Sequence, residues 1–542
     1  MEEFNLKLMK NLFFSAVVLF CNSVVGQNFN YVFNNPFLSA GSAAGLSIHI
    51  LNDTIHVFGI IAVQDSLGTG NNIHLKYNLQ GDLQEYQVWN PEDPALSANL
   101  GRWGGVGLFQ STDTTFFSLP YSEFVNFEEN SNEGNYVQLI DQFGNETSRA
   151  EINWNPEGFN SRGARSISEN EHLVYGVVWD EGGVDTESNN GFLLNCNSEG
   201  ELNWVQRYDN TGNIRFMEKT PDGGFILGGY VWWAIGGEGG PNNIIDCVII
   251  KTDSLGEEQW RYIFGGTEDE GYCPVLFHSN GDIYSISTDA TIGPLRGPLW
   301  FQKIEDNGTN YEVLDSLQWS NPELFDHVPF GITEVSDGGI VGYGNGKEKW
   351  DDEIGDVPPS GFIYKVSPDL DSLWKRYYQH FIPEVDANHA FHDMVEGPDS
   401  CMYFTGRAAR GEGTGLFDLG HIWLMKTDKY GCLEPDCHLL DQDSTDNIVQ
   451  IIGLQNSLKV FPNPVRDRFT LEISLPLEFS PPSSSELRLL DMNGREVKHV
   501  ELGHISLEHT VQIDVSDLSS GTYTLHWMNS GLWYDSMKVV VE

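Results

Sequence analysis

Through most of its length this chain sets short apolar runs against tight polar turns, a spacing that asks for strands rather than helices. The stretch Cys247-Val-Ile-Ile-Lys-Thr-Asp-Ser-Leu-Gly-Glu-Glu-Gln-Trp260-Arg-Tyr-Ile-Phe264 shows the unit most clearly. An apolar strand runs into an Asp/Ser/Gly turn, and an alternating aromatic strand returns. Residues 191–204, 361–374 and 422–431 repeat it, and 72–81, 136–144 and 299–308 are weaker copies. The turns fall at 81, 144, 200, 256, 308, 370 and 431, in steps of 63, 56, 56, 52, 62 and 61 residues.

A second strand precedes each copy, at 55–60, 115–119, 173–178, 224–230, 282–287, 339–344 and 401–406, and a further short strand lies ahead of it. Four antiparallel strands at a steady period predict the blade of a β-propeller, with an open solenoid as the alternative. Closure separates the two. The seventh unit lacks a fourth strand, because Gly431 runs into Cys432-Leu-Glu-Pro-Asp-Cys437. The segment Phe29-Asn-Tyr-Val-Phe33 matches Trp260-Arg-Tyr-Ile-Phe264 position by position, so an N-terminal strand can complete the last blade and cover both bare edges. The expected fold is all-β: a seven-bladed β-propeller over 27–437, closed by that strand, then an Asp-rich linker over 438–456 and a small domain over 457–542.

In the small domain, alternation over 469–474, 487–491, 510–515, 523–528 and 537–541 predicts an immunoglobulin-like β-sandwich. Pro462 and Pro464 stiffen its entry, Asn493-Gly494 makes a hairpin turn, and Gly521 permits a sharp corner before Tyr523. Four motifs follow in order: Lys459-Val-Phe-Pro-Asn-Pro-Val, Leu490-Asp-Met-Asn-Gly-Arg-Glu-Val, Leu518-Ser-Ser-Gly-Thr-Tyr and Lys538-Val-Val-Val-Glu. Together they resemble the type A C-terminal sorting domain of the Bacteroidetes type IX secretion system. The resemblance implies that Pro462, Asn463, Pro464, Gly494, Gly521, Tyr523 and Lys538 carry the sorting signal, with the type IX machinery as partner. It further implies passage through the outer membrane and removal of the domain by a surface protease, with the cargo attached to surface lipopolysaccharide or released.

At the other end, Lys7 and Lys10 precede an apolar run over 12–20, and Val24-Val-Gly26 stands before Gln27. This is the pattern of a signal peptide over 1–26, cleaved between Gly26 and Gln27. The run is too short for a permanent membrane span. The expected destination is extracellular, either secreted or attached to the outer-membrane surface.

Charge removes one class of partner. With 78 acidic and 30 basic residues the net charge is −48, a field that repels phosphate backbones and excludes nucleic acid. Cys432 and Cys437 flank a proline turn and suit a small disulfide loop, whereas Cys196, Cys247, Cys273 and Cys401 lie on expected strands as core residues.

Candidate chemistry is sparse. No nucleophile elbow, zinc-binding His pair, phosphate loop or dinucleotide fingerprint occurs, so no catalytic residue, cofactor or metal is assigned. His380, His389, His392 and Asp393 form the only local cluster of metal-ligand types and read as structural. The long connections between second and third strands, at 179–190, 231–246, 345–360 and 407–421, emerge on one face. They carry Trp179, Trp232, Trp233, Trp350, Asp351, Arg407 and Arg410, a candidate face for stacking on glycan or gripping a protein loop. The expected function is an exported binding or scaffold protein. The alternative is an extracellular polysaccharide lyase or hydrolase, with acidic residues converging on the central channel.

Overall fold

The computed structural model describes residues 28–33, 43–62, 70–89, 97–100, 107–110, 115–124, 132–143, 145–154, 158–179, 190–235, 242–265, 272–288, 299–318, 327–346, 359–380, 388–410, 419–433, 450–452, 457–475, 485–491, 495–529 and 532–542. Turn chemistry sets its repeat. At successive hairpins an Asn, Asp or Ser oxygen accepts the backbone N–H groups two and four residues on. Asn78 takes Gln80 and Asp82, Asn197 takes Glu199 and Glu201, Asp253 takes Leu255 and Glu257, and Asp428 takes Tyr430 and Cys432. Asp141 and Ser367 do the same. The turn positions expected at 81, 200, 256, 308 and 431 are glycines with φ between 72° and 86°, and Leu370 reaches 61°. Gly144 lies outside the described residues.

The glycine has a second cause. A Cβ on Gly256 would stand 2.8 Å from the Trp204 ring, and one on Gly431 would stand 2.8 Å from Trp374. The outer strand of one sheet thus lays an aromatic ring on the turn of the next, and those two tryptophans serve packing between sheets.

The hairpins build antiparallel sheets in chain order, over residues 43–89, 97–151, 158–208, 213–264, 275–318, 327–379 and 388–427. First strands of successive sheets touch from the third sheet to the seventh, and Ala43–Leu51 packs on Asn388–Glu396 to close the circle. The N-terminal strand Phe29–Phe33 then pairs antiparallel with Leu419–Thr427, Phe29 opposite Lys426 and Phe33 opposite Ile422. In the fourth sheet Trp260 faces Lys251 and Phe264 faces Cys247, so the terminal strand takes the register its sequence match predicts. The chain is an all-β propeller closed by its own first strand.

Two polar devices recur around the ring. Lys251, Lys365 and Lys426, on third strands, are almost wholly buried and reach Asp222, Asp337 and Asp399 in the preceding turns at 2.7, 2.6 and 2.7 Å. A buried ammonium needs such a partner, because leaving it unpaired costs several kcal/mol. Between sheets, Glu334 accepts from the Ser279 backbone N–H and hydroxyl, and Glu396 does the same for Ser336.

The tail has its own core, in which Phe469, Leu471, Ile473, Leu525, Trp527 and Val539 are buried. Leu458–Phe461, Arg468–Ser474 and Glu508–Asp514 form one sheet, and Glu486–Leu490, Glu496–Glu501, Gly521–Asn529 and Leu532–Val541 form the facing one. Within the stretch expected as linker, Gln450–Ile452 is a strand, parallel to Tyr377–Gln379 on one side and bridged to Trp533 on the other. It joins the sixth sheet to the tail, and Met528 enters the core between the sixth and seventh sheets. Main-chain pairing overrides polar composition here, since an open strand edge accepts almost any sequence. Cys432 is engaged in a disulfide whose partner lies outside the described residues.

Candidate functional site

The first strands carry a feature invisible in the repeat motif. Five contain a β-bulge at the same level, between Gly45 and Ser47, Ser161 and Gly163, Ile214 and Phe216, Pro329 and Gly331, and Phe391 and Asp393. The extra residues are Leu46, Arg162, Arg215, Phe330 and His392. A bulge turns its side chain out of the pleat, which here re-aims it within the innermost strands of the ring. In the fifth sheet Tyr272, just ahead of the short strand Val275–Phe277, fills the corresponding gap.

These side chains touch in succession. The Arg215 guanidinium lies 4.3 Å from the centroid of Tyr272, Tyr272 meets Phe330 edge-on at 5.3 Å, and Phe330 meets His392 edge-on at 5.3 Å. His392 Nδ1 is 2.7 Å from the Gly45 carbonyl on the first sheet. Tyr272 holds φ at 30°, a left-handed backbone that a bulky residue adopts only under constraint, at about 1–3 kcal/mol. Arg215, Tyr272 and Phe330 are half-buried, so the collar presents ring edges and a cation to the interior.

Charged groups continue the site along the same strands. Glu218 faces Arg165 at 3.6 Å across the third and fourth sheets. Burial pushes the Glu218 carboxyl up despite Arg165, yet 37% of its side chain stays accessible. Asp393 accepts from the Ser47 hydroxyl at 2.7 Å, the Ile48 backbone at 2.9 Å and the Tyr343 hydroxyl at 3.3 Å. Burial first, then Asp393 and Glu218, hold the Tyr343 phenol well above its usual range. His392, pressed by burial with a smaller push from Arg407, falls to about 4 and stays neutral at pH 7.

The local cluster His380, His389, His392 and Asp393 is dispersed among separate packing and hydrogen-bonding roles. His389 packs on Trp423 with centroids 5.5 Å apart, His380 meets Asn30 at 3.1 Å, and His392 and Asp393 bond the first sheet. Among the described residues no three His, Cys, Asp or Glu side chains are grouped to hold a metal ion.

The long-connection residues fall differently from their sequence reading. Trp179 ends the strand Glu171–Trp179, Trp232 and Trp233 pair with Ile245 and Ile244 inside a lengthened hairpin, and Arg407 and Arg410 lie on Met402–Arg410. They sit on strands rather than loops, because the pairing runs on past the repeat core. Trp350 and Asp351 lie outside the described residues. The register puts these positions at the end where the bulges lie: Trp179 faces Gly158 and Arg407 faces Ala390, two residues before His392. Alignment of the first strands by register, rather than by motif, would have found the collar.

In the tail, Asn463 is the organising residue. Its side chain donates to the Lys538 carbonyl at 2.7 Å and accepts from Val540 N–H at 2.9 Å, so the Pro462-Asn463-Pro464 segment is bound to the last strand. The peptide bonds before both prolines are cis. Val465 N–H donates to Val540 and Glu542 N–H donates to Val465, extending the pairing. The Tyr523 hydroxyl donates to the Ser519 carbonyl at 2.7 Å, a tyrosine corner. Gly521 needs no left-handed backbone, and a Cβ there would meet only ordinary contacts, so neither conformation nor space demands glycine at this corner. Gly494, Gly26 and Gln27 lie outside the described residues, and Lys538 is exposed beside Thr524. Residues 459–542 match the family described as secretion system C-terminal sorting domain.

The tail is a sorting domain of this family. It marks the protein as a type IX secretion substrate, bound for the cell surface or beyond. Among the described residues no helix is long and apolar enough to cross a membrane.

Among curated proteins none matches the chain. Solved structures similar to it include a phage phi92 endosialidase, with 9% identity, TM-score 0.39, and coverage of 96% of this chain and 89% of that one. An alpha-L-arabinanase of Penicillium chrysogenum, complexed with arabinobiose, has 10% identity and TM-score 0.36 over 59% and 93%. The NanB sialidase of Streptococcus pneumoniae has 10% identity and TM-score 0.37 over 74% and 70%.

Proposed function

We propose that the propeller is a saccharide-binding module displayed or released by the sorting domain, with its ligand seated at the axial collar on the face of the long hairpins. In this reading each sheet is one blade, seven in all over 27–437, with 438–456 joining them to the domain at 457–542. One observation carries it: successive inner strands bring Arg215, Tyr272, Phe330 and His392 into a contacting, half-open row. Aromatic edges around a concave site suit the apolar faces of sugar rings, with polar groups fixing orientation. Trp179, Trp232, Trp233, Arg407 and Arg410 would extend the contact along the rim. A glycan array probed with the leaderless chain tests it. Bound spots should disappear in Tyr272→Ala/Phe330→Ala, while an unchanged pattern would remove the collar from the binding site.

Glu218 supports a second reading, an enzyme acting on polysaccharide. A carboxyl raised by burial, which together with the hydrogen-bonded Asp393 acts on the Tyr343 phenol, supplies the two kinds of carboxylate that general acid–base work requires. Release of reducing ends or unsaturated sugars by the protein, abolished in Glu218→Gln, would favour it over binding alone.

A further inference from the structure

We infer that the collar selects a carboxylated sugar, as a short oligomer or chain end, and that Arg215 binds its carboxylate; this rests on the saccharide reading above. Arg215 lies between two tyrosine rings, 5.4 Å from the Tyr230 centroid and 4.3 Å from Tyr272. Its Nε and Nη1 are shielded from solvent, and among the described residues neither has a hydrogen-bond partner. Nearby Arg165 faces Glu218, and the buried lysines each hold an aspartate. Arg215 alone of these has been given aromatic neighbours in place of an acid, in a chain with 78 acidic residues to choose from.

The rings fix the guanidinium without neutralising it. Unpaired N–H donors are costly, and a carboxylate is the planar acceptor that fits their fork once binding displaces what now shields them. Tyr272 and Phe330, next along the row, stand where the ring bearing that carboxylate would lie. The −48 field opposes long polyanions and phosphate dianions most, which leaves a singly charged group on a short saccharide as the favoured ligand.

The test is calorimetry on the leaderless full chain with short oligomers of galacturonate, mannuronate and glucuronate. Each is paired with its carboxyl-reduced form and with a sulfated neutral oligomer of equal length. At least one uronate should bind, weaken roughly ten- to a hundredfold on carboxyl reduction, and weaken similarly in Arg215→Gln, with partial recovery in Arg215→Lys. The paired ligands need no mutant, so a misfolded variant would not obscure the result. Equal binding of acid and reduced forms would overturn the carboxylate assignment and leave the saccharide reading standing. Tighter binding of the sulfated oligomer would overturn it too. Failure of every oligomer to bind, where the array shows other glycans bound, would overturn the inference alone.

Discussion

In the ring, every sheet depends on its neighbours: Trp204 covers the Gly256 turn, Glu334 holds Ser279, Glu396 holds Ser336, and Phe29–Phe33 closes the last edge. In the sorting domain two sheets enclose one core, and its ion pairs, such as Arg468–Asp514, lie on the surface. The two regions meet through a three-residue strand, Gln450–Ile452, and the side chain of Met528. The sorting domain is therefore self-contained, and the ring is welded around its circumference. Stability in the first is local and in the second collective.

The largest effect should come from the closing strand. Phe29 and Phe33 are buried, and truncating either costs about 3–5 kcal/mol, so deleting 28–33 approaches the whole stability of a domain. Chemical denaturation should then show the ring unfolded and the sorting domain still folded. Removing 457–542 should do the reverse, leaving the ring transition nearly in place. A ring indifferent to loss of its first strand would contradict collective stability.

Acid should separate the regions next. In the ring, burial depresses His56, His327 and His389 to about 3 and His172 and His392 to about 4, while unfolded histidine titrates near 6.5. The folded ring binds fewer protons in that window. Its stability is complete above about 6.5 and falls with pH, by up to about 1.4 kcal/mol per unit for each histidine. The sorting domain has one such group, His526, depressed to about 3. Against it stands Asp535, which burial raises to about 6 although Ser457, Leu458 and Ser536 donate to it. That carboxyl binds a proton more readily when folded, so it adds stability as pH drops through 6. Calorimetric scans from pH 7 to 4.5 should lower the ring transition well before the sorting-domain transition. Parallel shifts would show that the histidines are not held neutral.

Ion pairs give a narrower contrast. Asp399→Ala strands the fully buried Lys426 ammonium and should cost about 2–3 kcal/mol, discounted because Asp399 itself is partly exposed. Arg468→Ala, which breaks the exposed pair with Asp514, should leave the unfolding midpoint unchanged. Between these two lies Asn463→Ala. It removes two hydrogen bonds to the last strand and should lower sorting-domain stability by about 1–2 kcal/mol without moving the ring, as read from each transition.

Much of this was written in turn chemistry. A side-chain oxygen two and four residues before N–H groups, followed by a residue able to take positive φ, is a local constraint, and local constraints survive in sequence. The repeat, the order of its strands and the match of Phe29–Phe33 to 260–264 were readable on that account, as were the motifs of the sorting domain. The collar was not. Leu46, Arg162, Arg215, Phe330 and His392 share no chemistry and no constant interval, and only pairing with the second strand shows that they hold one position. The strand Gln450–Ile452 was equally hidden, because it exists to fill an edge that another part of the chain supplies.

The sequence alone thus determined the units, their turns and their destination, since each rests on neighbours a few residues apart. Tertiary structure alone decided which side chains meet at the axis and where the sorting domain rests. Those contacts join residues tens to hundreds of positions apart, and their geometry comes into being only when the circle closes.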